Sequence, residues 1–182
     1  QPHAQLVFIA ARDKDIKRIG TLSAVWPLKS DVAITTRKGS GLVDALTLAT
    51  MSRVRLKDGL NPLNDARLLD DGTASPMVGP DGDVYFGVFE HSWGTNHYRG
   101  WLCHYNKTLT QTKAPGAFGW DHTPSIVPAK LVPSYQGSSK YLLLSKYNNY
   151  AAAGGDGVNK LAILDPNETM TDPISGATVM DE

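Results

Sequence analysis

A repeat of 59 residues constrains the fold of this chain more than any other feature of its sequence. Three segments share one order of short apolar run, turn, second apolar run, loop and third apolar run. The third runs begin at Gly41, Gly100 and Asn159, so consecutive starts lie 59 residues apart. A fixed period of this length indicates repeated units of supersecondary structure that pack against their neighbours.

Each repeat is predicted to consist of short β-strands. The runs are rich in β-branched and aromatic residues and end at Gly, Pro, Asn or Asp, a composition typical of strands and turns. Asp81-Gly82 marks a tight hairpin, because Gly tolerates the positive φ of such a turn. The stretch from Leu42 to Met51 has apolar residues at helical spacing, but its threonines favour a strand. The predicted strand cores are 23–25, 31–36 and 41–48; 75–79, 83–90 and 100–106; and 124–127, 140–146 and 160–165.

These units predict an all-β fold, a β-propeller fragment of about three four-stranded antiparallel blades. Propeller blades have a similar period, and roughly 4 to 8 of them surround a channel. We therefore expect further blades of a ring of roughly 7 or 8, or a companion chain, and expect the chain alone to be insoluble or oligomeric. The single domain, 1–182, is divided into the end of a preceding blade at 1–20, blades at 21–60 and 73–117, and an incomplete blade at 122–182.

Composition and charge exclude several classes of protein. Basic and acidic residues are equal at 18 each, and no Lys/Arg run exceeds two residues, so the basic surface of a nucleic-acid binder is missing. No apolar stretch approaches the roughly 18 residues of a membrane span. The one cysteine, Cys103, has no disulfide partner in the chain and is predicted to be a small buried residue. Because the chain begins with Gln1 rather than Met, we expect that a leader or a longer N-terminal part has been removed or left out.

Blade-building motifs recur at Ser75–Val78, Asp81–Gly87, Gly100–Leu102 and Trp120–Val127. With these motifs nearly the whole chain resembles bacterial secreted propellers related to the pyrroloquinoline-quinone-type repeat. The resemblance implies a longer secreted parent protein that is extracellular or periplasmic. It does not imply quinone chemistry, because the related dehydrogenases place a vicinal disulfide beside the cofactor and this chain has one cysteine. The cofactor is therefore left unknown.

Topology predicts a binding face at one end of the blades. In an antiparallel four-stranded meander, the loop between the second and third strands emerges at the same end as the connection to the next blade. The loops around 90–99, 118–122 and 147–150 are expected to meet at that end. The side chains predicted to bind a ligand there are Trp93, Tyr98, Arg99, Trp120, Asp121 and Asn148.

Three of the five histidines fall in the same loops. His91, His97 and His122 are candidate ligands for Zn²⁺, Mn²⁺ or Cu²⁺, or bind sugar hydroxyls without a metal. Rotation between neighbouring blades opposes shared coordination, because loop tips on different blades point apart.

Ordinary packing is an alternative interpretation of several of these residues. Trp93, Trp101 and Trp120 are then aromatic residues packed between blades, and Asp121 makes an Asx-turn. His104, which lies in a predicted strand, is expected to be a packed strand residue.

Two classes of function remain open at this point. The sequence favours a binding module whose loop face holds a carbohydrate, a peptide or a partner protein. The alternative is an enzyme, such as a polysaccharide lyase or hydrolase, in which a loop His or Tyr acts as base and Arg99 or a metal neutralises a uronate carboxylate. Nucleophile-elbow and metalloprotease motifs are absent from the sequence.

Overall fold

Antiparallel strands form almost all of the regular structure in the computed structural model. The structure describes residues 54–69, 74–110 and 112–182, together with the backbone of strand segments at 6–7, 23–24, 31–36, 39–44 and 50–53. Within these residues the helices are two single turns of 3-10 helix, Ala129–Leu131 and Ala151–Ala153. The all-β prediction is confirmed. No helix in the described ranges is long and apolar enough to cross a membrane.

The first sheet contains five strands in the order of the sequence. Its first strand hydrogen bonds to the second, although the sequence predicts that this part of the chain ends a preceding blade. The predictions that fall on residues 1–5, 8–22, 25–30, 37–38 and 45–49 lie outside the described residues. The strands are β1 (Leu6–Val7), β2 (Ser23–Ala24), β3 (Asp31–Thr36), β4 (Gly39–Asp44) and β5 (Thr50–Val54).

The second sheet is a four-stranded antiparallel meander. Its two central strands are buried along their whole length, as expected when both faces of a sheet are covered. The predicted cores at 83–90 and 100–106 agree with these two strands. The strands are β6 (Met77–Val78), β7 (Val84–Val88), β8 (Trp101–Tyr105) and β9 (Thr112–Gly116).

The third sheet is a second four-stranded antiparallel meander. The sequence predicts an incomplete unit here, but the last strand supplies the fourth position in the sheet. The third strand extends well beyond its predicted core, and an irregularity in its pairing falls between Asp165 and Thr169. The strands are β10 (Ser125–Pro128), β11 (Tyr141–Tyr147), β12 (Lys160–Thr171) and β13 (Thr178–Asp181).

The 59-residue period is visible in the hydrogen-bond register of the second and third sheets. Val88 pairs with Trp101 between β7 and β8, and Tyr147 pairs with Lys160 between β11 and β12. Both members of the later pair lie 59 residues after their counterparts. The two hairpin loops are therefore equal in length. In the first sheet only two residues separate β3 from β4, so this hairpin loop is shorter than the corresponding loops of the second and third sheets.

One hydrophobic core joins the second and third sheets. Gly116 of β9 lies against the third sheet. A Cβ on this glycine would be 3.0 Å from Leu164 Cδ1 and 3.2 Å from Leu102 Cβ. Across the same interface the hydroxyl groups of Tyr85 and Tyr141 are 2.7 Å apart. The contact between the sheets is thus tightly packed and includes a buried polar link.

The segment 54–69 covers the other face of the second sheet. The indole Nε1 of Trp101 donates a hydrogen bond to Asp58 at 2.9 Å, and the Cys103 thiol contacts the Lys57 carbonyl oxygen at 3.8 Å. Cys103 is a buried free thiol, as predicted. Burial raises the pKa of Cys103 to about 12, despite an opposing contact with Tyr105, and the thiol is therefore unreactive at neutral pH.

Replacing Leu164 by Ala should test the packing between the two sheets. Leu164 is buried, and its loss removes apolar contacts and leaves a cavity. The free energy of unfolding should fall by about 2–5 kcal/mol, measured by chemical denaturation. The control is Leu63→Ala, because Leu63 is largely exposed and its truncation should change stability by less than about 0.5 kcal/mol. Equal effects of the two substitutions would contradict this packing.

Candidate functional site

A buried carboxylate fixes the loop between β7 and β8. Glu90 is fully buried, and its Oε1 accepts hydrogen bonds from the backbone N–H groups of Asn96 and Tyr98, both at 3.0 Å. Its Oε2 accepts from the N–H of Gly100, also at 3.0 Å. Tyr98 and His97 have φ of 57° and 53°, which side-chain-bearing residues rarely adopt. The hydrogen bonds to Glu90 hold the loop in this conformation.

Arg99 anchors this loop to the third sheet. Its side chain is buried, and its guanidinium forms a two-point ion pair with Asp172, at 2.7 and 3.1 Å. The guanidinium also donates to Asn96 Oδ1 at 2.5 Å and lies 5.5 Å from the centre of the Tyr147 ring. The sequence predicts Arg99 as a ligand-binding residue. In the structure its donors are bonded to protein groups, so a ligand would have to compete with Asp172 and Asn96 for the guanidinium.

Four aromatic rings form a cluster around the loop, here called the aromatic cluster (Phe89, Trp93, Tyr98 and Trp120). Phe89 lies at its centre, with ring centroids 4.9 Å from Trp93, 5.9 Å from Tyr98 and 5.2 Å from Trp120. Trp93 is 54% exposed, and the guanidinium of Arg67 lies 5.0 Å from the centre of its ring. The structure therefore brings together the three aromatic residues that the sequence predicts as binding surfaces.

Glycines in the second sheet position Trp120. A Cβ on Gly87 would lie 2.3 Å from the carbonyl oxygen of Gly119, and a Cβ on Gly100 would lie 2.3 Å from Trp120 Cβ. Any side chain at either position would collide with the connection from β9 to β10. The missing side chains let that connection cross directly over β7 and β8, and this close crossing places Trp120 against Phe89.

A group of polar side chains lies where the connection between β9 and β10 meets the end of β11. Asp121 accepts hydrogen bonds from Lys146 Nζ and from Asn148 Nδ2, both at 3.0 Å. The backbone N–H of Lys146 donates to His122 Nε2 at 3.1 Å. Burial lowers the pKa of His122, and the nearby Asp121 only partly opposes this. The imidazole is therefore neutral at pH 7, and because Nε2 accepts, its proton is on Nδ1.

Five buried polar atoms have no hydrogen-bond partner among the described residues. One is His104 Nδ1 in β8, and the other four belong to the β9–β10 connection or to the end of β11: Trp120 Nε1, His122 Nδ1, Ser145 Oγ and Asn148 Oδ1. Buried polar atoms in proteins are nearly always paired with protein or water, so their concentration in one place is unusual. The sequence analysis identified Trp120, His122 and Asn148 as candidate site residues but did not identify Ser145. The one feature of the sequence that marks Ser145 is its hydroxyl group directly after the apolar run Leu142–Leu144.

The structure does not bring the three candidate metal-binding histidines into one group. His91 is placed by its backbone N–H, which donates to Asp58 at 2.8 Å. The ring of His97 lies against Gly154, in the loop between β11 and β12. The third, His122, already uses Nε2. Among residues 54–69, 74–110 and 112–182, no group of three or more His, Cys, Asp or Glu side chains is arranged to hold a metal ion.

His104 is a packed strand residue, as predicted. It is fully buried, its Nε2 lies 2.8 Å from Asp83 Oδ2, and its ring stacks on Tyr85 with centroids 4.4 Å apart. Burial raises the pKa of Asp83, but contacts with His104 and Lys113 outweigh this effect, and the pKa lies below its ordinary value. This ionised group ties β7, β8 and β9 together.

A cavity of about 360 Å³ lies between segment 57–62, strands β8 and β9, and the turn before β13. Its two lysines, Lys57 and Lys113, are paired with Asp65 and Asp83. None of the side chains predicted to bind a ligand lines this cavity.

No protein-family model matches this chain, and no curated protein or solved structure matches it either. The resemblance to quinone-type repeat propellers therefore stays a prediction, and the site is interpreted from its own geometry.

The ion pair of Arg99 and Asp172 should make folding stability depend on acid. Burial raises the pKa of Asp172, but hydrogen bonds from Arg99 and Ser175 outweigh it, and the pKa in the folded chain lies below its ordinary value. Stability from such a group is present above the unfolded pKa of about 4 and is lost as pH falls through the folded pKa. The free energy of unfolding should therefore fall as the pH drops below about 4, and less steeply in Asp172→Asn.

The control for this titration is Asp181→Asn, because Asp181 is exposed at the end of β13. This variant should keep the acid dependence of the wild type in urea unfolding at each pH. An unchanged acid dependence in Asp172→Asn would show that the ion pair contributes little.

Proposed function

We propose that this chain is part of a β-propeller and that its loop face binds a ligand. Support for the fold comes from two four-stranded antiparallel meanders that repeat with one period and share one core. Sheets of this kind are the blades of propellers. In that arrangement the β7–β8 loop, the β9–β10 connection and the β11–β12 loop belong to one end of the ring.

The outer face of the third sheet supports the presence of a further blade. Leu161 and Ile163 are 74% and 39% exposed, and Ile163 is paired with Leu144 across the strands. The residues that alternate with them, Ala162 and Leu164, face the core shared with the second sheet. An apolar sheet face of this type is normally covered, and a following blade would cover it as the third sheet covers the second.

Truncation of this face in the full-length protein should test the propeller arrangement. If another blade covers it, Leu161→Ala and Ile163→Ala should each lower the free energy of unfolding by about 2–5 kcal/mol. Leu63→Ala again provides the exposed control. Changes below about 0.5 kcal/mol for both residues would mean that the face remains in solvent and would contradict the arrangement.

The exposed ring of Trp93 is the observation that carries the proposed binding function. Phe89 and Tyr98 contact the ring, and the Arg67 guanidinium lies over it, so its position is set before a ligand arrives. A pre-positioned tryptophan offers a large contact area at a low cost in conformational entropy. The enzyme alternative that uses Arg99 to neutralise a uronate is disfavoured, because Asp172 already binds this guanidinium.

Removal of the Trp93 ring should abolish most of the binding. Full-length protein is applied to an array of oligosaccharides and an array of peptides, and the affinity for the strongest ligand is measured by calorimetry. Trp93→Ala should weaken binding by about ten-fold or more, as expected for an aromatic residue that dominates an interface. Leu131→Ala is the control, because Leu131 is 66% exposed elsewhere on the third unit. Equal binding by wild type and Trp93→Ala would exclude this surface, and the absence of any ligand on both arrays would count against a binding function.

A further inference from the structure

We propose that the cavity beside β9, here called the edge cavity, is a binding site for a small monocarboxylic acid with an apolar body. The edge cavity has a volume of about 360 Å³ and lies between segment 57–62, strands β8 and β9, and the turn before β13. Small-molecule sites in proteins measure roughly 300–1,000 Å³, so this one suits a small ligand. No residue of the aromatic cluster lines it, and the inference is therefore independent of the proposed function of the loop face.

The edge cavity is open to solvent. Leu60 on one wall is 40% exposed, and Gly176 and Thr178 on another wall are also exposed. A Cβ on Gly176 would have no other atom within 4 Å, so this part of the wall faces free space. A ligand can therefore reach the lining from outside without displacing a strand.

A bulge in the pairing of β8 with β9 forms part of the wall. At this place Ala114 and Pro115 together stand opposite Cys103. A bulge of this kind bends its strand and disrupts the regular ladder, and Pro115 has no N–H with which to restore it. Cys103 and Pro115 both line the edge cavity. The irregular strand thus opens space at the edge of an otherwise closely packed sheet.

Most of the lining is suited to an apolar ligand body. Carbon-rich side chains come from the 57–62 segment, from both strands and from the turn before β13: Leu60, Pro62, Cys103, Tyr105, Pro115 and Ala177. Contact with such a surface removes apolar area of both partners from water, which favours binding.

Lys57 is the group that can bind the carboxylate. Its ammonium contacts Asp65 at 2.7 Å, but Asp65 is also paired with Arg55 at 3.0 Å. Lys57 can therefore leave Asp65 without depriving that carboxylate of a cation. The side chains of Lys57 and Asp65 are 36% and 45% exposed, and ion pairs this exposed contribute little to stability. Exchange of Asp65 for a ligand carboxylate is thus inexpensive.

Lys113 and Asp58, which also line the edge cavity, keep their present partners. Lys113 is bonded to Asp83, which is buried and would retain only His104 if the lysine moved. Each carboxylate oxygen of Asp58 already accepts two N–H hydrogen bonds. The lining therefore contains two lysines against one fully bonded carboxylate, which favours an anionic ligand group over a cationic one.

The first test compares acids with neutral molecules of similar shape in the full-length protein. The probes are phenylacetate and hexanoate, with phenethyl alcohol and hexanol as the neutral molecules, and affinity is measured by calorimetry. At least one acid should bind more tightly than its alcohol. Lys57→Met should weaken binding of that acid by about three- to ten-fold, as expected for one partly exposed charged hydrogen bond, and should not affect the alcohol. The control is Lys140→Met, because Lys140 is exposed and does not line the edge cavity.

The second test concerns the apolar wall. Leu60→Ala removes contacts with the ligand body, so it should weaken binding of the acid and of its alcohol alike, by about three- to ten-fold. Leu63→Ala is the matched control from the same loop, because Leu63 is 89% exposed and does not line the edge cavity. Its affinity for both probes should equal that of the wild type.

An NMR measurement locates the acid independently of the variants. In protein labelled with ¹³C at the alanine methyl groups, the Ala177 resonance should shift on saturation with the acid. The Ala129 resonance should not shift, because Ala129 is buried in the first 3-10 helix and does not line the edge cavity. This internal control separates local binding from a general change in the protein.

The outcomes decide the inference separately from the proposed function. Absence of binding by both acids, or binding that neither Lys57→Met nor Leu60→Ala weakens, would overturn the site. Equal affinity for acid and alcohol would overturn the carboxylate. Trp93→Ala should leave acid binding unchanged, and a loss of acid binding in that variant would assign the acid to the aromatic cluster instead. Failure of the loop face to bind any ligand leaves the edge cavity unaffected.

Discussion

The carboxylate of Glu90 is the interaction on which the candidate site depends. It is buried, and it gathers three backbone N–H groups from a loop whose ends leave the second sheet. Closing the loop in this way turns Arg99 into the interior and leaves Trp93 at the surface. Without these bonds the positive φ angles at His97 and Tyr98 would be strained with nothing to maintain them. The exposed ring and the buried ion pair are thus two results of one folded loop.

Buried polar groups among the described residues differ in how many of their hydrogen bonds are made. Asp83, Glu90, Asp165 and Asp172 are each surrounded by donors. Glu90 closes its own loop, and the other three join segments that are distant in sequence. Their contacts are satisfied, so they contribute to a unique fold. Trp120, His122, Ser145 and Asn148 make only part of their possible hydrogen bonds. These four belong to the β9–β10 connection or to the end of β11, whereas His104 Nδ1 is an unpaired atom in β8.

The strands could be predicted because their signals are local. β-Branched and aromatic residues, turn residues and the repeat marked β7, β8 and β11 within a few residues, and they marked the start of β12 but not its end. The shared hairpin register confirms the period between the second and third sheets. The close approach of Trp93, Tyr98 and Trp120 was predicted from the antiparallel order of the strands, which brings their loops to the same end of the sheets.

The role of Arg99 could not be predicted in the same way, because its partner Asp172 is 73 residues away and nothing near Arg99 signals it. Ser145 was missed for a related reason. Whether a hydroxyl group in a strand is paired depends on the connection that crosses it, and that crossing depends on the missing side chains of Gly87 and Gly100.

The distance in sequence between Arg99 and Asp172 has a consequence for how the protein is made. Synthesis proceeds at about 5–20 residues per second, so roughly 4 to 15 seconds pass between the two residues. During that time the loop that carries Trp93 has no anchor on the third sheet, and the guanidinium of Arg99 lacks its carboxylate partner. The buried ion pair therefore forms only after the turn between β12 and β13 has left the ribosome. A nascent chain that stops earlier can close the loop on Glu90 but cannot tie it to the third sheet.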